Sequence, residues 1–225
     1  MTLPKNIKNL SAVGSDEVGV GDYLAPLVVT SVYVDENQIE KLQEIGVKDS
    51  KSMTDKRITD IANNIKDLLP HKTVIFENKY YNAMIERDLN AHVVKSFLHN
   101  RTLTELTCSL SEYPKHIIID EFASRENYFK YLNKLPKKPD ILEKNIHFVK
   151  KGETVHIAVA AASILARQAF VQYVDELSEN LGMEILKGAS AKVDVCARNI
   201  VKKHGEAVFK NICKWHFANT KRVIV

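Results

Sequence analysis

The apolar positions of this chain change period as it is read. Leu10 to Val18 and Pro26 to Val34 (PLVVTSVYV) are short runs of small and β-branched residues, and such runs read as strands. Between them Gly19-Val20-Gly21-Asp22 carries two glycines, so the pair is expected to form an antiparallel hairpin. Thr73 to Phe76 reads as a third short strand. The period then lengthens. Ile58, Ile61, Ile65 and Leu68 recur at helical spacing behind Thr54, a capping residue, with Pro70 as the stop after Leu69. Asn90 is placed to cap a long helix through about Leu110. His116 to Asp120 (HIIID) and Ile146 to Val149 read as strands, and the second leads into a helix from about Glu153 to Leu181. Ala191 to Lys203 and Glu206 to His216 complete the series as C-terminal helices. Strands early, then strands and helices in alternation, predict an α/β fold with a central mixed sheet flanked by helices. One domain over residues 1–225 is expected.

Composition narrows the function classes. The 225 residues are 45% hydrophobic and 27% charged, which supports a packed core and excludes disorder as a description of the whole chain. Lys plus Arg is 32 against 28 for Asp plus Glu; the net +4 is too small for a purely electrostatic binder but allows a local basic face. Lysine outnumbers arginine, which suits backbone phosphates better than bidentate base reading. Three cysteines (Cys108, Cys196, Cys213) without ligand spacing argue against a disulfide scaffold and a zinc site, and for a reducing compartment. Met1 to Leu10 lacks the apolar stretch of a signal peptide, and the apolar run Thr154 to Ala166 falls short of the roughly 20 residues of a bilayer span. A cytoplasmic monomer with no membrane partner is expected.

The informative residues are acids in apolar surroundings. Asp16 and Glu17 lie in the first strand, where neighbouring side chains point to opposite faces. Asp120 ends the HIII run, and ligand sites of open α/β sheets form beyond the carboxyl ends of the strands. Each acid alone could cap a turn or pair with a lysine; together they read as a site. Clusters of Asp and Glu suit Mg²⁺ or Mn²⁺, and like charges so close need a cation to stay ionised. Two such ions are the usual arrangement for in-line displacement at phosphorus.

The segment Gly14-Ser15-Asp16-Glu17-Val18-Gly19-Val20-Gly21-Asp22 resembles the opening motif of the type 2 ribonucleases H, and within that group most resembles ribonuclease HIII. The likeness continues through Val47-Lys48-Asp49-Ser50-Lys51, Asn90, Leu98-His99-Asn100 and Ile117 to Phe122. It resumes at Glu153 and the alanine-rich stretch to Ile164, and ends with Lys187-Gly188-Ala189-Ser190 and Lys214-Trp215-His216-Phe217.

The resemblance implies a ribonuclease H-like fold and endonucleolytic cutting of the RNA strand of RNA/DNA hybrids. It also implies two Mg²⁺ or Mn²⁺ ions on Asp16, Glu17, Asp120 and Glu153, no organic cofactor, and products with 5′-phosphate and 3′-hydroxyl ends. Read on its own, Glu153 is equally an acid complementing a helix N-terminus. Gly19, Val20, Gly21, Ser50, Asn100 and Ser190 are expected to bind substrate, and Lys51, Lys150, Lys151 and Lys187 are candidate phosphate contacts, although any one lysine alone reads as solvated surface. The glycines could simply close the hairpin, or could let the backbone reach an RNA 2′-hydroxyl. Ser163 is expected in the core.

Two departures stand out. The family's turn is usually Gly-Thr-Gly or Gly-Arg-Gly, and here it is Gly19-Val20-Gly21. Ribonuclease HIII normally has a separate N-terminal substrate-binding domain, which the 15 residues before Asp16 cannot supply. The rival readings are a ribonuclease HII-like nuclease for junctions or single ribonucleotides, and a hybrid-binding module that no longer cleaves.

Overall fold

The two β-branched runs form neighbouring strands, β1 (Ala12–Val18) and β2 (Leu27–Val34), paired antiparallel with Asp16 opposite Thr30. The computed structural model describes residues 3–48, 50 and 53–224. Three further strands, β3 (His71–Phe76), β4 (Ile117–Asp120) and β5 (Ile146–Val149), complete a mixed sheet in the order β3-β2-β1-β4-β5. β3 runs antiparallel to β2, whereas β4 is parallel to β1 and β5 is parallel to β4. The strands β1, β2 and β4 are buried almost throughout because both faces of the sheet are covered.

One face carries α1 (Ile39–Ile45), α2 (Asp55–Ile65) and α7 (Ile157–Leu181); the other carries α3 (Asn78–Ile85), α4 (Ala91–Ser109) and α5 (Arg125–Leu132). The helix α7 is apolar and long enough to cross a bilayer by composition, with a hydropathy of 1.4, yet its Ala-Val-Ile stretch is buried on β1 and β2. The contact is close. A Cβ on Gly14 of β1 would lie 2.3 Å from the backbone of Ala158 and Val159. A second core gathers Tyr23, Leu24, Phe170 and Val174 with the C-terminal helices α8 (Ala191–His204), α9 (Glu206–Ile212) and α10 (Thr220–Val223).

The expected mixed sheet is present, with differences of detail. The connection between β1 and β2 is a loop over residues 19–26 that opens with the expected turn at Gly19–Asp22, closed by the Asp22 amide on the Gly19 carbonyl at 3.3 Å. The expected helix from Glu153 to Leu181 is two helices, α6 (Gly152–Val155) and α7, separated by His156 in an extended conformation. His156 caps α7: Nδ1 accepts from the Ala158 amide and Nε2 donates to the Leu10 carbonyl. Thr54 and Asn90 cap as expected, but α2 ends at Ile65 and α9 at Ile212. The helices α1, α3 and α5 were not legible from periodicity, being only seven or eight residues long.

Candidate active site

The parallel register of β1 and β4 pairs Ser15 with Ile119, so the next residues on the two strands are Asp16 and Asp120. Both therefore stand at the carboxyl edge of the sheet. Asp120 is opposite Val149 of β5, and the chain then turns through Lys150 and Lys151, the latter left-handed with φ 55°, into α6. The amide of Gly152 donates to Asp120 Oδ1 at 2.8 Å, and Glu153 follows, buried in the first turn of α6. The topology thus draws acids 104 and 33 residues apart in the chain to one edge.

Asp16 is buried, and its pKa is pushed up to about 7 by burial and then by the neighbouring charges of Glu17 and Asp120. Two hydrogen bonds oppose that rise, from the Ser163 hydroxyl of α7 and from the Glu17 amide at 2.7 Å. Glu17 has the opposite electrostatics. Burial acts against its charge, but His99 and Lys95 of α4 outweigh it and bring the carboxyl down to about 2. Lys95 Nζ meets Oε1 at 3.0 Å and His99 Nε2 meets Oε2 at 2.9 Å. His99 Nδ1 is in turn 2.7 Å from Ser15 Oγ, and Phe122 stacks on the His99 ring beneath Lys95. Alternation along β1 therefore sends Asp16 to the α7 face and Glu17 to the α4 face. Among the described residues, no three acids, histidines or cysteines form a ready-made metal cage.

Several expected substrate contacts have other partners. Asn100 is buried and holds the loop before β5, donating to the Asp140 carbonyl and accepting from the Leu142 amide, which keeps it from a substrate. Ser50 is buried against Ser163 at 2.8 Å, so Ser163, expected in the core, instead links Ser50 to Asp16. Lys187 pairs with Asp55, which also holds Arg167, and Arg167 donates to the Ser50 carbonyl. Lys150, Lys151, Val20, Gly21 and Ser190 are exposed, whereas Gly19 is buried; Ser190 is the N-cap residue of α8. Lys51 lies outside the described residues. Beside Glu153 a cavity of about 360 Å³ is lined by Lys8, Lys48, Thr154 and His156. Lys95, His99, Phe122 and Ser163, which surround the two carboxylates of β1, were not among the expected site residues. The available signal was a lysine and a histidine four apart on a buried helix.

A family model described as Ribonuclease HII matches residues 13–220. The chain belongs to that family. Among its curated relatives, Ribonuclease HIII of Bacillus mycoides (strain KBAB4) is 42% identical over 220 residues, 97% of this chain and 70% of the relative. Ribonuclease HIII of Bacillus cereus (strain ATCC 14579) is 41% identical over 98% of this chain and 70% of its own length. A solved structure of Bst-RNase HIII in complex with Mn²⁺ superposes with a TM-score of 0.91 at 42% identity, covering 96% of this chain and 69% of that one. The ribonuclease H2 from Pyrococcus horikoshii OT3 shares the fold, with a TM-score of 0.75 at 22% identity over 95% and 97% of the two chains. This chain is accordingly a ribonuclease of the H type, a nuclease hydrolase built on the ribonuclease H-like fold.

Proposed function

We propose that this ribonuclease hydrolyses the RNA strand of RNA/DNA hybrids at the edge formed by β1, β4 and α6, leaving 5′-phosphate and 3′-hydroxyl ends. The observation that carries the reading is the adjacency of Asp16 and Asp120 at the carboxyl edge of the sheet, where burial first, and then the charges of Glu17 and Asp120, raise Asp16 to about 7. Carboxylate oxygens are hard ligands, and a raised Asp16 is the cost of assembling them, which a divalent cation offsets. The oxygen donors of Asp16, Glu17, Asp120 and Glu153 therefore suit Mg²⁺ or Mn²⁺, and the Mn²⁺ complex of Bst-RNase HIII supports a divalent cation. When bound, two such ions supply a water nucleophile and charge for the leaving oxygen.

The remaining tasks fall to the protein. Ser163 and the Glu17 amide orient Asp16, and Lys95 with His99 keeps Glu17 ionised and aimed. The Gly152 amide fixes one oxygen of Asp120. The exposed part of the loop after β1, Val20 and Gly21, meets the RNA strand through its backbone, while Lys150 and Lys151 lie beside Glu153 to attract phosphates. The three cysteines are free thiols, which suits a reducing cytoplasm.

The test is a labelled uniform hybrid incubated with Mg²⁺, with Mn²⁺ and with a chelator. Cleavage of the RNA strand that the chelator stops is the expected result; no cleavage with either ion would overturn the proposal. A DNA duplex carrying one ribonucleotide goes alongside. Preferential cutting of that duplex would replace the hybrid reading with a junction nuclease.

A further inference from the structure

Lys214 is the most unusual charge in the molecule. It follows α9, it is 0% exposed, and among the described residues its ammonium has no hydrogen bond to the carboxylates of the candidate site. Its Nζ donates to three backbone carbonyls, Gly19 at 2.9 Å, Asp22 at 2.6 Å and Ala25 at 2.5 Å. An ammonium has three donors and no acceptor, so three converging carbonyls satisfy it completely. All three belong to the loop over residues 19–26.

The same loop is stitched to the C-terminal segment at other points. The Lys214 amide donates to the Tyr23 carbonyl, and the Tyr23 amide donates to that of Gly188. The Tyr23 ring packs between Phe209 and Phe217, and its hydroxyl meets Thr220. Asp22 Oδ1 accepts from the Gly188 amide.

The consequence lies in the peptide plane. In a trans peptide the carbonyl of one residue and the amide N–H of the next point in opposite directions. Lys214, together with the Asp22 amide at 3.3 Å, holds the Gly19 carbonyl inward, where φ is 95°. The Val20 N–H is thereby turned outward at the exposed tip of the loop. The corresponding Tyr23 N–H is already used by Gly188, and Pro26 has none.

We propose that Lys214 is a positioning residue for substrate discrimination: by holding the carbonyls of Gly19, Asp22 and Ala25, its buried ammonium aims the Val20 amide at the RNA strand. The proposal rests on the reading of this loop as the RNA contact, and its test separates the two. Wild type, Lys214→Met and Gly21→Ala are compared, with divalent ion present, for hybrid cleavage and for binding to hybrid and to all-DNA duplex. Lys214→Met keeps the volume and removes the donors. It is expected to raise KM for hybrid and to reduce the preference for hybrid over DNA by about tenfold, roughly the effect of one hydrogen bond. Hydrogen exchange should quicken in residues 19–25 and stay slow in β1, which general destabilisation would not produce.

If Gly21→Ala loses the preference and Lys214→Met keeps it, the brace is wrong and the loop reading stands. If neither variant changes the preference, the loop does not read RNA and both fail. Should Lys214→Met not fold, wild type decides the matter by ¹⁵N-resolved NMR. A slowly exchanging Lys214 ammonium is expected, and exchange as fast as that of surface lysines would overturn the proposal.

Discussion

Asp16, the proposed metal ligand, shows how a single residue can carry a cost in stability. Its carboxyl titrates near 7 in the folded chain, because of burial and the charges of Glu17 and Asp120, against 3.8 as the ordinary value. A raised acid binds its proton more tightly when folded, so the folded state holds more protons between pH 3.8 and about 7 and stability falls as pH rises through that window. Below the window the penalty is absent. Asp16→Asn removes it, and in metal-free protein at pH 7 the variant is expected to be more stable by on the order of 3 kcal/mol, while cleavage is lost. Thermal melts at pH 5 and pH 8 check the first half: the gain should be larger at the higher pH. Glu17 works in the opposite direction, since His99 and Lys95 overcome its burial. Its contribution is present above its ordinary value of 4.5 and is lost as pH falls toward 2, outside the main window of Asp16.

The two glycines of the loop after β1 separate cleanly. A Cβ on Gly19 would sit 2.0 Å from the Pro26 carbonyl at a φ of 95°, so Gly19→Ala should destabilise the fold by about 3 kcal/mol or more. Gly21 has an ordinary φ and open space around the Cβ position. Gly21→Ala should therefore change stability by less than about 1 kcal/mol and affect only substrate. Chemical denaturation of both variants measures the contrast, and equal losses would mean the loop is built differently. Val20→Thr, which restores a family residue at an exposed position, should leave activity little changed.

At the scale of elements, the site depends on how closely α7 approaches β1. The helix supplies Ser163 to Asp16, and small residues allow it to lie against Gly14. Gly14→Ala would force its methyl into the helix backbone, where nothing flexible can yield. A loss of about 3 kcal/mol or more is expected, together with lower activity per folded molecule because Ser163 moves with the helix. Ser163→Ala tests the link without disturbing the packing. It removes a hydrogen bond that favours ionised Asp16, so metal affinity measured by titration calorimetry at pH 7 should weaken while the melting temperature changes little. The helix α4 holds the sheet from the other side and carries Lys95 and His99, so the carboxylates of β1 are oriented from both faces.

For the whole molecule, net charge limits how substrate is held. A surplus of only +4 cannot bind a polyanion over the entire surface, and local lysines such as Lys150 and Lys151 are the proposed source of attraction. With Lys187 engaged by Asp55 and half-exposed, the basic contribution near the loop is smaller than the lysine count suggests. Hybrid affinity is expected to be modest and to fall steeply between about 50 and 200 mM salt; a flat dissociation constant over that range would contradict the picture. The C-terminal helices contribute differently, by fixing the loop over residues 19–26 to the second core.

What the chain determined by itself was the local alphabet. β-branched runs specify strands, Thr54 and Asn90 cap their helices, and acids at the ends of apolar strands mark an edge with chemistry, because these depend on neighbours in sequence. The short helices α1, α3 and α5 and the break at His156 escaped, the first for lack of periods and the second because the capping histidine, whose Nδ1 accepts from the Ala158 amide, is held in place by its Nε2 contact with Leu10, 146 residues away. The division of labour among polar residues was decided only in three dimensions. Asn100 and Asp140, Ser50 and Ser163, Glu17 and His99, and Lys214 and Gly19 are far apart in the chain, and burial gives each pair a hydrogen bond that no spacing encodes. A buried polar group must find a partner wherever the fold supplies one. Residue type therefore announced which side chains could do chemistry, and packing decided which of them face the substrate and which hold the others in place.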